Sequence, residues 1–439
     1  MPESDKNDTV EKSGIMKLSV GACLLVVGLL LIHWLPFSPA VTYAVVFVST
    51  SIIFLWFARA LHLSEPPKWF LPLAVVVALL VQLSFLNLPP IGSDDVYRYM
   101  WDGKVQSFGI DPYRYAPNDA ALDSLHSSLV PASVNHPDMK SVYFPVTQWL
   151  FYAAYSLSQE SIWGFKLLLL LAQTATVIAL FILLKKLRIP PKYVLLFALC
   201  PLPLLQFGLD AHIDAVGLPL LIFGLALYLD SRKTIAYVLF ALSVSIKPVA
   251  LLLLPVLFLS EKGSREKSKV LLVPSVILAG QFLPYVFSSN PFEALFTFAS
   301  HWTFNGIIFE TLNLYYDNNL TSRLICAALL VVSLLPLYRS KKDVLDVLYY
   351  SVILLLLFSP VVHPWYVTWL TVLLPFARRW SGIVYSASAS LTVYTIVQFK
   401  LYGIWEQSAL VLALEYLPVI ILLILELRDS KNDPQPAGA

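Results

Sequence analysis

Long uninterrupted apolar segments constrain this chain more than any other feature. Runs of roughly 20 residues can cross a bilayer, and such runs occur at 16–36, 40–61, 69–90, 163–184, 193–209, 215–229, 270–288, 324–338, 345–361, 382–400 and 407–426. Only 13% of the residues are charged, against roughly 25% in soluble domains. Backbone inside lipid must satisfy its own hydrogen bonds, so each crossing should be a helix. The fold class predicted is all-α, a polytopic transmembrane helical bundle.

Short basic loops orient these helices, because loops rich in Lys and Arg face the cytoplasm. Such loops occur at 185–192, 230–233, 260–269, 339–343 and 378–379. The polar segments 91–143, 207–214, 289–323 and 359–366 are then external, and both termini are cytoplasmic. Residues 234–259 must begin and end inside, as two short helices broken at Lys247-Pro248, and 365–377 must form a short return span. We therefore expect about 13 crossings.

The chain divides into three parts on this basis. Residues 1–15 form a cytoplasmic N-terminal tail, 16–426 a single transmembrane domain with an external loop at 91–143, and 427–439 a disordered cytoplasmic tail. Cys23, Cys200 and Cys326 lie in apolar runs, where buried small side chains are expected rather than a disulfide or metal set. The net charge of +2 gives no global field that favours nucleic acid.

The external loop opens with the most polar stretch near any span, "SDDVYRYMWDGKVQSFGIDPYRYAP" at 93–117. A helix that starts near Ser93 has Asp94 in its first turn and brings Asp95, Arg98 and Asp102 to one face. An apolar aromatic stripe follows another face: Tyr97, Trp101, Val105 and Phe108. This pattern predicts an amphipathic helix in the membrane interface. An ordinary interfacial helix explains it as well as a site does, although carboxylates and a cation also suit proton transfer beside a phosphate leaving group.

The same stretch resembles the first external loop of the GT-C superfamily of integral-membrane glycosyltransferases, closest to the bacterial polyprenyl-phosphate-mannose-dependent mannosyltransferases. That family has Asp-Asp-x-x-Arg-Tyr-x-Trp-Asp-Gly, then Gly-x-Asn-Pro-Tyr-x-Tyr-x-Pro; here Asp111 replaces the Asn. Weaker matches are "NHPDMKSVYFPVTQ" (135–148, with Phe144 for a Pro), "DAHIDAVGLPLL" (210–221), "SIKPVALLLLP" (245–255), "HWTFNGIIFETL" (301–312) and "SPVVHPWYVTWL" (359–370). The resemblance covers about 90 to 370 and does not fix the sugar.

The resemblance implies an enzyme that moves a hexose, with mannose favoured, from a polyprenyl-phosphate donor to a lipid or glycan acceptor on the outer face of a bacterial plasma (inner) membrane. The acceptor hydroxyl attacks the anomeric carbon and the polyprenyl phosphate leaves with inversion, through an oxocarbenium-like transition state. No cofactor is implied; adjacent carboxylates can hold Mg²⁺ through a phosphate, but a metal is not favoured. The expected partners are the donor, the acceptor and the lipid bilayer, and not nucleic acid.

By the same resemblance the catalytic base is Asp94 or Asp95. Asp94 is favoured, because Asp95 shares a face with Arg98 and is expected to pair with it. The donor phosphate has three candidate ligands, Arg98, Lys140 and Lys247. Each has an alternative role: Arg98 as a structural partner of a nearby aspartate, Lys140 as a solvated surface lysine, and Lys247 as one half of an internal ion pair.

Candidates for contact with the sugar or the acceptor are aromatic, histidine and carboxylate side chains near the external ends of spans: Tyr99, Trp101, Asp102, His136, Tyr143, Asp210, His212, Asp214, His301, His363 and Trp365. Two aspartates and one histidine in the turn at 210–214 are a weak set for zinc, and capping of a helix end is the alternative there. For His301 and His363 the alternative is a structural or interfacial histidine.

Two other functions remain for the whole chain. A transporter or flippase of lipid-linked sugars is disfavoured, since only 16 residues are Gly and no two-fold repeat of the kind found in many transporters is visible. An inactive scaffold subunit would tolerate substitution of the Asp94/Asp95 pair.

Overall fold

The protein is built from helices joined by short turns. A computed structural model describes residues 3–340 and 342–432. These residues contain no β-strand, and extended pairing among them is limited to isolated bridges from Phe304 and Asn305 to Val361. The predicted all-α class is confirmed.

Several helices are suited to a membrane. Five are long and apolar enough to cross one: Gly14–His33, Pro39–Leu63, Trp163–Lys186, Asn319–Tyr338 and Ala409–Asp429. The pair Pro191–Ala198 and Pro201–Leu209, bent by 48°, forms a sixth candidate. Shorter apolar helices are Phe70–Ser84, Asp214–Leu229, Lys233–Ile246, Pro248–Ser260 and Val344–Phe358. The chain is therefore a multi-pass membrane protein, while the figure of about 13 crossings stays a prediction.

The two terminal helices extend beyond the apolar segments. The first runs from Glu3 to Leu30 and the last from Ala409 to Asn432. The last helix therefore continues past residue 427, where the sequence predicted a disordered tail. Residues 433–439 of that tail lie outside the described residues.

The other helical segments are shorter than the five long apolar helices. Those in or next to the predicted external segments are Asp95–Ser107, Ala120–Leu125, Pro145–Ser158, Glu293–His301 and Ile307–Tyr316. Those elsewhere are Ser264–Gly280, Pro364–Thr371, Leu374–Ala377, Trp380–Ser388, Ala389–Thr392 and Val393–Tyr402.

The expected break at Lys247-Pro248 is confirmed. Proline disfavours helical geometry in the residue before it, and Lys247 is extended, with φ −149° and ψ 132°. The helix Lys233–Ile246 ends there, and a 3₁₀ turn at Pro248–Leu252 leads into Leu253–Ser260. The Lys247 side chain therefore projects from the end of a helix rather than from its side.

A second break precedes the helix Asp214–Leu229. The wide turn Leu204–Leu209 ends at Asp210, and Ala211 has a φ of +63°. An alanine with positive φ is strained, so the surrounding contacts must hold this corner.

The predicted cytoplasmic loops meet one another at one end of the bundle. Lys192 donates to the Ser64 carbonyl at 2.7 Å, and Lys233 pairs with Glu261 at 2.6 Å. Lys186, in the same loop as Lys192, pairs with Asp230, in the same loop as Lys233. The basic loops 185–192, 230–233 and 260–269 therefore lie together, as the positive-inside pattern predicts.

The helix Asp95–Ser107 packs closely against Pro145–Ser158. A Cβ atom at Gly103 would lie 2.5 Å from the Phe151 carbonyl oxygen, so only glycine permits this approach. Tyr99 stacks on the Phe151 ring at 4.4 Å. Both Asp102 on the polar face and Trp101 on the apolar face are buried, so the predicted amphipathic helix packs within the protein, and its position in the membrane interface stays a prediction.

Candidate active site

The two adjacent aspartates turn to different partners. Asp94 occupies the N-cap position of its helix, and its carboxylate lies 3.2 Å from Lys400 Nζ. Asp95 accepts a hydrogen bond from Asn135 Nδ2 at 2.8 Å, and its other oxygen lies 3.5 Å from His212 Nδ1. The Asp95 side chain is 19% exposed and that of Asp94 37%. Asp95 is therefore the more enclosed of the two acids.

Arg98 belongs to a buried hydrogen-bond network next to Asp94 and Asp95, which we call the acid pair. Its Nε lies 2.8 Å from Asp102 Oδ1, and the other oxygen of Asp102 accepts from Ser141 at 2.7 Å and Gln148 at 2.8 Å. The expected ion pair between Arg98 and Asp95 is wrong, because Asp102 lies one helical turn further on and takes the guanidinium instead. The preference for Asp94 as the base rests on that expected pair, so it no longer has support.

The helix break at Lys247 places its ammonium group beside a second carboxylate, that of Asp214. Lys247 Nζ lies 3.5 Å from Asp214 Oδ1 and 3.5 Å from the centre of the Tyr366 ring, a cation–π contact. Trp369 Nε1 donates to the same Asp214 oxygen at 2.9 Å. A lysine, a carboxylate and an aromatic face are thus fixed together at this helix end.

The charge on this lysine also acts on Asp95. Burial raises the pKa of Asp95, and the hydrogen bond from Asn135 and the positive charge of Lys247 offset part of that rise. A carboxylate of this kind holds a proton more readily than an exposed one. It is suited to accept a proton during a reaction.

His212 lies at the strained corner and is fully buried. Its ring stacks on Trp365, with centroids 3.6 Å apart and planes at 16°. Neither ring nitrogen makes a hydrogen bond within the described residues. Burial lowers the pKa of His212 far below its ordinary value, and the neighbouring His363 and Lys247 lower it further, so the ring is neutral.

The stack continues as a wall of parallel rings. Trp365 lies on His363 at 4.2 Å, His363 on Phe304 at 4.5 Å, and Phe304 on Trp405 at 5.3 Å. We call these four rings and His212 the aromatic wall. It connects the polar cluster at Asp95 with the loop that contains Trp405.

The Asp210 carboxylate links the turn at 210–214 to the residues that immediately precede Asp94 and Asp95. Its carboxylate accepts hydrogen bonds from the backbone N–H groups of Ile91 at 2.9 Å and Gly92 at 2.8 Å. Tyr43 donates to it at 2.6 Å and itself accepts from Gln206 at 2.7 Å. Both carboxylate oxygens of Asp210 are therefore occupied by donors from the protein. This arrangement favours a role in positioning residues 91–95 over contact with a ligand.

The structure brings six of the predicted site residues into one cluster: Asp95, His212, Asp214, Lys247, His363 and Trp365. Asp94 lies at its edge. Their roles stay predictions, but their convergence from four separate segments marks this cluster as the candidate active site.

Three further candidates lie in the packing behind the acid-pair helix. Tyr99, Trp101 and Asp102 are buried, and Tyr143 meets Tyr99 edge-on at 5.2 Å. These positions support the helix rather than a ligand contact.

The remaining candidates lie on the outer surface away from the cluster. Lys140 pairs with Glu293 at 2.9 Å, and His136 meets the Trp302 ring edge-on at 4.7 Å. His301 is exposed, with Nδ1 3.1 Å from the carbonyl oxygen of Thr297 in its own helix. Their placement does not favour the predicted contacts with the substrate.

Sequence reasoning missed four members of the site. Asn135 and Tyr366 each stand next to a predicted histidine or tryptophan within a matched motif, so a closer reading of those motifs could have found them. Phe304 also lies within a matched motif. Lys400 lies beyond the region of resemblance, and nothing in the sequence signalled it.

The described residues contain no group of three or more His, Cys, Asp and Glu side chains placed to hold a metal ion. In the turn at 210–214, Asp210 faces backbone N–H groups and Asp214 faces Lys247. The expectation that the reaction needs no metal stays a prediction.

Two family models match the chain. The model described as the N-terminal domain of alpha-(1→6)-mannopyranosyltransferase matches residues 14–261, more than half of the chain. The model of the MptB C-terminal domain matches residues 319–423. No curated protein and no solved structure matches. The two models together include every member of the candidate site except Phe304.

Proposed function

Because the chain belongs to the MptA/MptB family of alpha-(1→6)-mannopyranosyltransferases, we propose that it moves mannose from a polyprenyl-phosphate donor to a hydroxyl group of a lipid or glycan acceptor. The family supports mannosyl transfer. The lipid-phosphate donor, the acceptor, the outer face of the membrane and the roles of single residues are the proposal.

The observation that carries the proposal is the placement of Asp95. This carboxylate is partly exposed, yet it lies among Asn135, His212 and the charge of Lys247. Burial raises its pKa, which makes it a better proton acceptor than an exposed aspartate. We assign Asp95, rather than Asp94, as the general base.

The reaction is a single displacement. Asp95 takes the proton of the acceptor hydroxyl while that oxygen forms a bond to the anomeric carbon of mannose. The bond from the same carbon to the phosphate oxygen breaks, and the polyprenyl phosphate leaves with the bonding electrons. The anomeric configuration inverts, so an α-mannoside requires a β-linked donor.

Lys247 is the cation within the cluster that can stabilise the leaving phosphate. It is held by one contact at 3.5 Å to Asp214 and by the Tyr366 ring, both of which leave donor hydrogens of the ammonium group available. Preorganised cations of this kind stabilise charge that develops on a leaving group.

His212 is the ring beside Asp95 that is suited to the sugar. A buried imidazole without hydrogen-bond partners is costly, so donor binding that opens this corner would let a mannose hydroxyl satisfy one of its nitrogens. Both faces of the neighbouring Trp365 indole are covered, by His212 and His363, so Trp365 would hold the imidazole in place rather than pack against the sugar.

The external side is favoured by the distribution of charge. The basic loops meet at one end of the bundle through Lys186, Lys192 and Lys233, and such loops face the cytoplasm. The cluster is built from segments between the opposite ends of the same helices. A donor anchored in the outer leaflet would present its phosphate there.

The test is mannosyl transfer by the purified protein in lipid nanodiscs. Radiolabelled polyprenyl-phosphate mannose, and the corresponding glucose lipid, are incubated with a bacterial membrane-lipid extract, and new labelled products are separated by chromatography. We expect label from the mannose donor in a new product, made by wild type and by Asp123→Asn, an exposed external control, and abolished in Asp95→Asn. Movement of the intact lipid between vesicle leaflets, without transfer from any donor, would contradict the enzyme and favour the flippase.

A further inference from the structure

The end of the helix Val393–Tyr402 and the loop after it lie beside Asp94, between the predicted spans 382–400 and 407–426. The helix Val393–Tyr402 ends at Gly403, whose φ of +71° is the left-handed geometry that glycine adopts freely. Lys400, in the last turn of that helix, lies 3.3 and 3.2 Å from the two carboxylate oxygens of Asp94. This contact joins positions that are 306 residues apart.

The same segment exposes several large apolar side chains. Five of them are more than two-fifths exposed: Phe399, Leu401, Tyr402, Ile404 and Trp405. Contiguous exposed apolar patches mark sites of interaction with lipid, ligand or protein. We call residues 399–405 the aromatic loop.

The aromatic loop is also attached to the aromatic wall. Trp405 stacks on Phe304 at 5.3 Å and meets Phe399 edge-on at 5.3 Å. The loop therefore carries a cation at one end, next to Asp94, and a continuous apolar surface at the other. A phosphate attached to a prenyl chain combines the two complementary chemistries.

Resting on the proposed function, we propose that the aromatic loop receives the lipid phosphate of the donor, with Lys400 leaving Asp94 to bind the phosphate while the apolar side chains contact the prenyl chain. The pair between Lys400 and Asp94 is more than one-third exposed on both sides. Exposed ion pairs are weak, whereas hydrogen bonds from an ammonium group to a phosphate are among the stronger ones. A bound phosphate can therefore take the lysine from the carboxylate.

The other cations near the site are less suited to this exchange. Arg98 is buried against Asp102, and Lys140 is paired with Glu293 on the outer surface. Lys247 is held beside Asp214 and the Tyr366 ring, so it would stabilise the leaving oxygen of the same phosphate that Lys400 binds. Lys400 is the one of the two that stands on an exposed apolar surface.

The experiment measures binding of polyprenyl phosphate without a sugar, by native mass spectrometry of the protein released from nanodiscs. The variants are Lys400→Gln, Asp94→Asn and the control Lys186→Gln, a comparably exposed lysine paired with Asp230 at the predicted cytoplasmic end. Polyprenol, phosphatidic acid and inorganic phosphate are run in parallel, so that the prenyl chain, an ordinary anionic lipid and the free anion are distinguished.

We expect Lys400→Gln to weaken binding of polyprenyl phosphate by about 10–100-fold, the range for loss of a hydrogen bond to a charged group. Asp94→Asn removes the competing carboxylate and should tighten binding by roughly 2–5-fold, the scale of an exposed ion pair. Lys186→Gln should bind as wild type does. The opposite signs of the first two effects are the signature of the exchange.

Equal binding by Lys400→Gln and wild type, or weaker binding by Asp94→Asn, would overturn the inference. So would equal affinity for polyprenol or for phosphatidic acid, because the phosphate and the prenyl chain would then not be recognised together. The assay includes no sugar, so a Lys400 effect without any mannosyl transfer would leave the inference standing and refute the proposed function. Normal transfer with an unchanged donor KM in Lys400→Gln would do the reverse.

Discussion

Asp210 gives the sharpest prediction about how the fold positions the acid pair. Replacing it by alanine removes the acceptor for three donors, the N–H groups of Ile91 and Gly92 and the hydroxyl of Tyr43. A donor left without a partner costs about 1–3 kcal/mol when buried. Water can reach the two partly buried N–H groups, so we assign each the lower value and expect a total of about 3–5 kcal/mol.

Asp210→Asn separates charge from shape. Its amide oxygen can still accept from Ile91 and Gly92, but the amide nitrogen then faces the Tyr43 hydroxyl, which already accepts from Gln206. Tyr43 loses the acceptor for its own proton, so we expect a loss of about 1–2 kcal/mol. The order of stability is wild type, then asparagine, then alanine.

Activity should fall more steeply than stability, because residues 91–95 lead directly into the base. A misplacement of about 1 Å can reduce a rate by roughly 10²-fold. We expect Asp210→Ala to lose at least about 100-fold in kcat while it still binds donor, and Asp210→Asn to lose less than about tenfold. Unfolding in mixed micelles by SDS titration and the transfer assay give the two quantities. Wild-type stability and rate in the alanine variant, or a worse result for asparagine, would refute the reasoning.

Three further predictions follow from the same contacts. Since burial raises the pKa of Asp95 and a base must be deprotonated, the transfer rate should fall with decreasing pH through that raised pKa, at a higher pH than for an ordinary aspartate; a pH–rate profile without this limb would contradict the assignment. Gly103→Ala should cost about 1–3 kcal/mol of stability by overpacking against the Phe151 carbonyl, measured as a lower unfolding midpoint; an unchanged midpoint would show that the helices can separate freely. Trp365→Ala should cost about 1–3 kcal/mol of stability in the same unfolding assay, because it removes a ring contact on each face worth about 0.5–1.5 kcal/mol, whereas Trp365→Phe should retain most of it; equal losses in both would exclude stacking as the cause.

Local signals in the sequence sufficed for the helical class and for the break at Lys247. Apolar length determines where a chain can cross lipid, and proline disfavours helical geometry in the preceding residue whatever the rest of the fold does. The convergence of Asp95, His212 and Lys247 was indicated in part, since each lies at an external helix end or at a helix break. These features depend on neighbours in the chain.

Partner choice could not be predicted in the same way. Helical spacing allowed Arg98 to meet either Asp95 or Asp102, and the outcome depends on Asn135 and His212, which reach Asp95 from segments far along the chain. The contact of Lys400 with the acid pair likewise depends on how the last helices pack. Periodicity contains no information about such pairings.

Burial of the acid-pair helix was missed for a related reason. Its polar and apolar faces suggested a helix half in water, yet the polar face is buried against Ser141 and Gln148 through Asp102. A hydrogen-bonded network can be buried without large cost, and an alternation of polar and apolar residues does not distinguish a partner from water.

The central claim is that Asp95 is the base of a mannosyl transfer. The most direct measurement is the single-turnover rate with pre-bound polyprenyl-phosphate mannose, in wild type, Asp95→Asn and Asp94→Asn, with donor binding measured on the same samples. We predict that Asp95→Asn binds donor but transfers about 10²–10⁴-fold more slowly, the range for loss of a general base, while Asp94→Asn retains most of the rate. A wild-type rate in Asp95→Asn, with the loss appearing in Asp94→Asn instead, would contradict the account.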